Sequence, residues 1–142
     1  MKQQTPIRAY FESVRQAERA LWLIRQQQRH AMDVATRLSG AGSDTHIRSP
    51  NARSSVEMAA VRMADLDSAL NAQSEEYVRL IEEARGIIQQ IPQPRFREVL
   101  TLRYLCGYSW RTIADEMAYD DPKSVFRVHG YALEIAGKIK KF

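Results

Sequence analysis

Six side chains near the C-terminus carry the chemistry to meet a polyanion: Arg111, Lys123, Ser124, Phe126, Arg127 and Tyr131. Lys and Arg pair with phosphates or with guanine edges, Ser is a general donor, and an aromatic ring can touch a thymine methyl. Five of the six fall within "DPKSVFRVHGY", Asp121 to Tyr131. The corner just before them holds Asp120 and Asp121, two negative charges where a polyanion should dock. An Asp followed by Pro122 is also a helix start: the carboxylate caps free backbone N–H groups and the proline fits the first helical position. The residue types leave open which of the two acids is the cap. Arg111 falls in the first turn of the preceding helix, where a cation opposes the macrodipole. A phosphate contact would offset that cost; the other reading is an exposed arginine without a role.

These residues need elements to position them. "WRTIADEMAYDDPKSVFRVHGYAL", Trp110 to Leu133, reads as two short helices around a tight corner, the outline of a helix-turn-helix. Ser109 caps the first, in which Trp110, Ile113, Ala114 and Met117 share a face, with Ala114 small enough for close packing. Val125, Val128, Ala132 and Leu133 recur at helical spacing in the second. Upstream, Pro94 opens a helix whose Phe96, Val99, Leu100 and Tyr104 align, and Gly107 ends it. Together these make a tri-helical unit over residues 92–142.

Residues 1–91 follow a different rule. Steps of three and four from Ile7 reach Tyr10, Val14, Ala17, Leu21, Ile24, Gln28, Ala31, Ala35 and Leu38, a heptad seam broken only by Gln28. Thr5 and Pro6 supply its cap and first turn. A second seam runs from Val56 through Ala59, Met63, Leu66, Leu70, Gln73, Tyr77, Leu80, Ala84 and Ile87 to Ile91, with Ser54 and Glu57 as a capping pair. Between them "SGAGSDTHIRSPNARSS", 39–55, is expected to be a flexible loop. Two narrow seams with one connection predict a long antiparallel helical hairpin, with Gln28 and Gln73 setting register. The fold class is therefore all-α: a coiled-coil hairpin followed by the tri-helical unit. The six arginines of the first helix are interleaved with acids and fit a solvated surface with i,i+4 pairs.

Charge follows the same division. Residues 1–91 hold 12 Lys/Arg against 11 Asp/Glu, and residues 92–142 hold 9 against 6, so the basic excess gathers in the shorter segment. No run of apolar residues suffices for a bilayer span, and no signal-peptide pattern opens the chain. Cys106 is the single cysteine, which excludes an intrachain disulfide and fits the cytoplasm. His30, His46 and His129 lie too far apart for a zinc pattern with it. Cys106 has no base beside it and reads as a small apolar filler; His129 reads as structural, with Gly130 allowing close helix approach. No cofactor, metal or enzyme activity is expected.

"REVLTLRYLCGYSWRTIADEMAY" with "VFRVHGYALE" resembles region 4 of sigma-70-type factors, and nearly the whole chain is similar to the RinA/ArpU-like phage transcriptional regulators, which pair a helical hairpin with such a unit. The resemblance implies a sequence-specific regulator in the bacterial cytoplasm, an activator of late phage operons. By position it places Lys123, Ser124, Phe126 and Arg127 on the recognition helix. The pattern departs from the family in a corner one residue longer and in Ala118, where glycine is common. Double-stranded DNA is the expected partner, with host RNA polymerase and a second copy of the chain through the hairpin as further ones. Two other functions compete: a small terminase-like DNA-packaging subunit, and a protein-binding module that uses Phe126 and the basic face on RNA polymerase.

Overall fold

A computed structural model of the chain describes residues 5–41 and 50–141. Among these the protein is all-α, with no strand: α1 (Pro6–Ala41), α2 (Pro50–Gln89), α3 (Pro94–Leu100), α4 (Trp110–Glu116) and α5 (Pro122–Ile139). α3 runs on into one π-helical turn, Thr101–Leu105, closed by the Cys106 N–H donating to the Thr101 carbonyl at 2.9 Å. None of the described helices is long and apolar enough to cross a membrane.

Helix starts follow the predicted signals for α1, α3, α4 and α5, four of the five helices. The Thr5 hydroxyl accepts from the Arg8 N–H at 3.4 Å, and the Ser109 hydroxyl from the Thr112 N–H at 3.2 Å. Pro94 occupies the first turn of α3. The second long helix departs from expectation. It begins at Pro50, so Ser54 lies inside it and residues 50–55 are helical instead of loop. Pro50 is itself a first-turn signal, its ring holding φ at a helical value. At the other end of the expected loop α1 continues through residues 39–41, and residues 42–49 lie outside the described residues.

The chain divides into two compact units, and the division does not fall at Pro92. One unit joins residues 1–17 with 77–142; the other is residues 18–76. The first has one core: Ile7, Phe11 and Val14 of α1, Ala84 and Ile87 of α2 and Ile91 just beyond it pack with Val99, Leu100, Tyr104, Ile113, Val125 and Ala132. Here α1 and α2 meet more than each other, so their buried faces are wider than a heptad seam. Phe11 and Ile88, both outside the predicted seams, are buried, Phe11 completely. Arg97 closes the link from α2 to α3 by donating to the Ile91 carbonyl at 2.6 Å and the Pro92 carbonyl at 3.0 Å. Near the end of α5, Lys140 pairs with Glu83 of α2 at 2.7 Å.

The close helix approach occurs at Gly137, not Gly130. A Cβ on Gly137 would lie 3.3 Å from Ile7 Cγ2, whereas one on Gly130 would meet nothing within 4 Å.

In the second unit α1 and α2 run antiparallel. Gln28 Nε2 donates to Asp67 Oδ1 at 2.7 Å, so this seam polar residue finds a charged partner across the pair and favours one register. Leu21, Ala31 and Leu66 are buried. Arg19 lies over the exposed Trp22 ring, 4.2 Å from its centroid. No i,i+4 ion pair forms along α1 among the described residues; such a pair lies on α2, Arg79 with Glu83.

Candidate nucleic-acid interface

α5 starts at Asp121, whose backbone is extended (φ −144°, ψ 137°). Its Oδ1 accepts from the Lys123 N–H at 2.9 Å, and its carbonyl accepts from the Ser124 N–H at 3.1 Å. Asp121 is thus the cap. Its carboxylate is turned onto the backbone of its own helix, where the positive helix end favours it. Asp120 is exposed in the turn and takes no part in the cap.

The corner before it is a Schellman-type ending of α4. The Tyr119 N–H donates to the Ala114 carbonyl at 2.8 Å, and the Ala118 N–H to the Asp115 carbonyl at 3.2 Å. This geometry puts the residue after the cap in the left-handed region, and Ala118 has φ 59°. The absent glycine therefore leaves a strained alanine, not a different turn. Tyr119 follows half-buried, with the Arg95 guanidinium 4.8 Å from its ring centroid.

From this start α5 buries Val125, His129, Ala132, Leu133 and Ala136. The opposite side leaves Lys123 and Arg127 exposed, with Phe126 at 42% and Tyr131 at 52% exposure; Ser124 is half-buried. Phe126 does not project freely. Its ring meets Trp110 edge-on, centroids 5.1 Å apart at 82°. Trp110 also carries the Arg103 guanidinium 4.1 Å from its ring centroid and touches the His129 ring at 4.7 Å. Arg103 is braced by donating to the Tyr108 carbonyl at 2.9 Å. Tyr131 sits near Phe96, 6.5 Å between centroids.

Beneath this surface Tyr104 and His129 share a buried hydrogen bond, Oη to Nε2 at 2.7 Å. Burial, and secondarily the Glu12 carboxylate, push the Tyr104 hydroxyl from 10.0 up to about 12 against nearby Arg103, Arg8 and Arg15. His129 is therefore a core residue, as its spacing from Val125, Ala132 and Ala136 implies. Arg103 had no signal in the sequence, because the π-helical turn shifts the side-chain register after Leu100. Arg111, at the first turn of α4, is exposed and lies 4.0 Å from the equally exposed Asp115 carboxylate. Pairs of that kind are worth little. Cys106 is exposed, not a core filler, since the chain leaves the core as the π-helical turn ends.

The arrangement groups Lys123, Phe126, Arg127 and Tyr131 on one helix face, with Arg103 beside Phe126 through Trp110. Ser124 joins less fully and Arg111 belongs to the neighbouring helix. Such a face can bind phosphates through its cations and touch apolar base edges through its aromatics. Among the described residues no three His, Cys, Asp or Glu side chains cluster to hold a metal ion. Compared with family models, with curated proteins and with solved structures, the chain matches none.

Proposed function

We propose that the protein is a phage or prophage transcriptional regulator that binds duplex DNA through α5, with Lys123 and Arg127 on phosphates or guanine edges and Phe126 on an apolar base edge. One observation carries this reading: the exposed face of α5 is cationic and aromatic, while the acid at its start is engaged as a cap on the helix's own backbone. Tyr131 and Ser124 extend the same face, and Arg111 offers a phosphate contact from α4. The resemblance of the 97–134 stretch to sigma region 4 supports the same assignment and suggests activation of late operons in the bacterial cytoplasm. Host RNA polymerase is then a natural second partner.

Fluorescence anisotropy on labelled duplexes tests it. Affinity should fall steeply as salt rises, because phosphate neutralisation releases counterions. Arg127→Ala and Lys123→Ala should each weaken binding; unchanged binding in both would remove α5 from the interface.

Self-association through the helical pair is part of the proposal. In the second unit Met58 and Val61 of α2 stand 70% and 62% exposed, more than single scattered apolar residues require. Native mass separates the functions: a monomer or dimer fits the regulator, whereas a large ring would favour a packaging subunit.

A further inference from the structure

The cationic face does not end at α5. A groove of about 680 Å³ runs between the first turns of α1 and the outer side of α5, with Arg8 on one wall and Arg127 on the other. Phe126, Gly130 and Tyr131 line it between them, so its base is largely apolar. α1 comes this near because residue 137 has no side chain to meet Ile7. Arg8 is half-buried, and among the described residues neither it nor Arg127 is held in an ion pair. Lys140, at the other end of the groove, is engaged by Glu83. Glu134 is the acid among the lining residues.

A helix lying in a major groove about 12 Å wide has a phosphate ridge on each side. Contacts to those ridges fix register and orientation, whereas base contacts specify sequence. A guanidinium on the helix that flanks α5, lining the same groove as Arg127, can reach such a ridge. Arginine suits the role, since its fork of donors matches a phosphate and it desolvates more readily than lysine.

We propose that Arg8 is a phosphate-anchoring residue of the DNA-binding surface, so that the duplex backbone beside α5 seats against the first turns of α1. This rests on the DNA-binding reading above. It also gives the N-terminal helix a part in recognition beyond pairing with α2. Arg8 from α1 and Arg127 from α5 then hold the backbone and the groove, with Phe126 lining the same groove.

The test uses the full chain and a fluorescein-labelled mixed-sequence duplex, titrated between roughly 50 and 200 mM salt. Arg8→Gln should lower the magnitude of the log–log salt slope by about 0.9, the value of one lost phosphate contact. Arg8→Lys should retain that slope, and Glu134→Gln should tighten binding without lowering it. Arg8→Met, which keeps the stem, serves as a second neutral variant, and thermal unfolding of each variant verifies folding. An unchanged slope in Arg8→Gln and Arg8→Met, with a reduced one in Arg127→Gln, overturns the role of Arg8 and leaves DNA binding standing. An equal loss in Arg85→Gln, a surface arginine on α2, overturns it by showing that net charge alone is being read. Absence of binding by the unsubstituted protein at the lowest salt overturns the DNA-binding reading and this one with it.

Discussion

Phe126 rests edge-on against Trp110, 5.1 Å between ring centroids, and this contact joins the exposed face of α5 to α4. An edge-to-face pair contributes about 0.5–1.5 kcal/mol beyond the area it buries. Trp110 is the centre of the arrangement, since Arg103 and His129 pack on it as well. Trp110→Ala should therefore cost about 2–3 kcal/mol in urea unfolding, below the range for a fully buried aromatic because Trp110 is only half-buried. Phe126→Ala should cost about 1 kcal/mol while weakening DNA binding. In the double-mutant cycle the two should couple by about 0.5–1.5 kcal/mol. A coupling near zero would mean that Trp110 does not hold Phe126 in place.

The two acids of the corner have separate roles. Asp121 accepts from the Lys123 N–H, so Asp121→Ala should destabilise the fold by about 1 kcal/mol. Asp120→Ala should leave the unfolding midpoint within a few tenths of a kcal/mol. Removing its charge beside the proposed phosphate path should also tighten DNA binding at low salt. Equal losses of stability in the two variants would contradict the assignment of the cap.

Ala118 offers a gain. Its φ of 59° is a conformation that costs an L-residue roughly 1–2 kcal/mol, and glycine adopts it freely. The methyl is exposed, so its removal forfeits almost no packing. Glycine loses more chain entropy on folding, which returns part of the benefit. Ala118→Gly should raise stability by about 0.5–1 kcal/mol, visible as a higher midpoint in thermal or urea unfolding. A lower midpoint would show that the left-handed turn is not populated in solution.

Much of this architecture was legible in the sequence, and its gaps share a physical cause. Local signals worked where the physics is local: Thr5, Ser109 and an Asp before Pro122 cap the helices they precede. Heptad spacing reached Leu21, Ala31 and Leu66, which are buried, but also Val56, which is 47% exposed. It missed Phe11 and Ile88, because a stripe cannot announce that a third body packs on it. That packing also moves the division of the chain from Pro92 into the long helices themselves. At the start of α2 two start signals compete within about one turn, Pro50 and the Ser54–Glu57 pair, and the helix begins at the first. At the candidate site, composition identified the face of α5 but not its neighbours. Arg103 reaches Trp110 through a π-helical turn, and Arg8 reaches the groove through tertiary approach; neither event leaves a periodic trace.

The buried pair of Tyr104 and His129 yields the last prediction. Tyr104→Phe keeps the ring packed but leaves His129 Nε2 without its partner, at a cost of about 1–3 kcal/mol at neutral pH. The pH dependence should change as well. Burial, then Glu12, raises the Tyr104 hydroxyl from 10.0 to about 12, so the folded state keeps the proton longer than the unfolded chain. This contribution is fully present below pH 10 and is lost as pH rises from there through about 12. Tyr10, also pushed up to about 12 by burial and then by Glu83, acts in the same direction and persists in the variant. Tyr104→Phe should therefore show a shallower alkaline loss of stability than the unsubstituted protein, not a flat one. Urea midpoints measured from pH 8 to beyond pH 11, with tyrosinate absorbance followed in parallel, give both slopes. Identical slopes would mean that Tyr104 titrates alike in the folded and unfolded chains, and that its hydroxyl is not buried against His129.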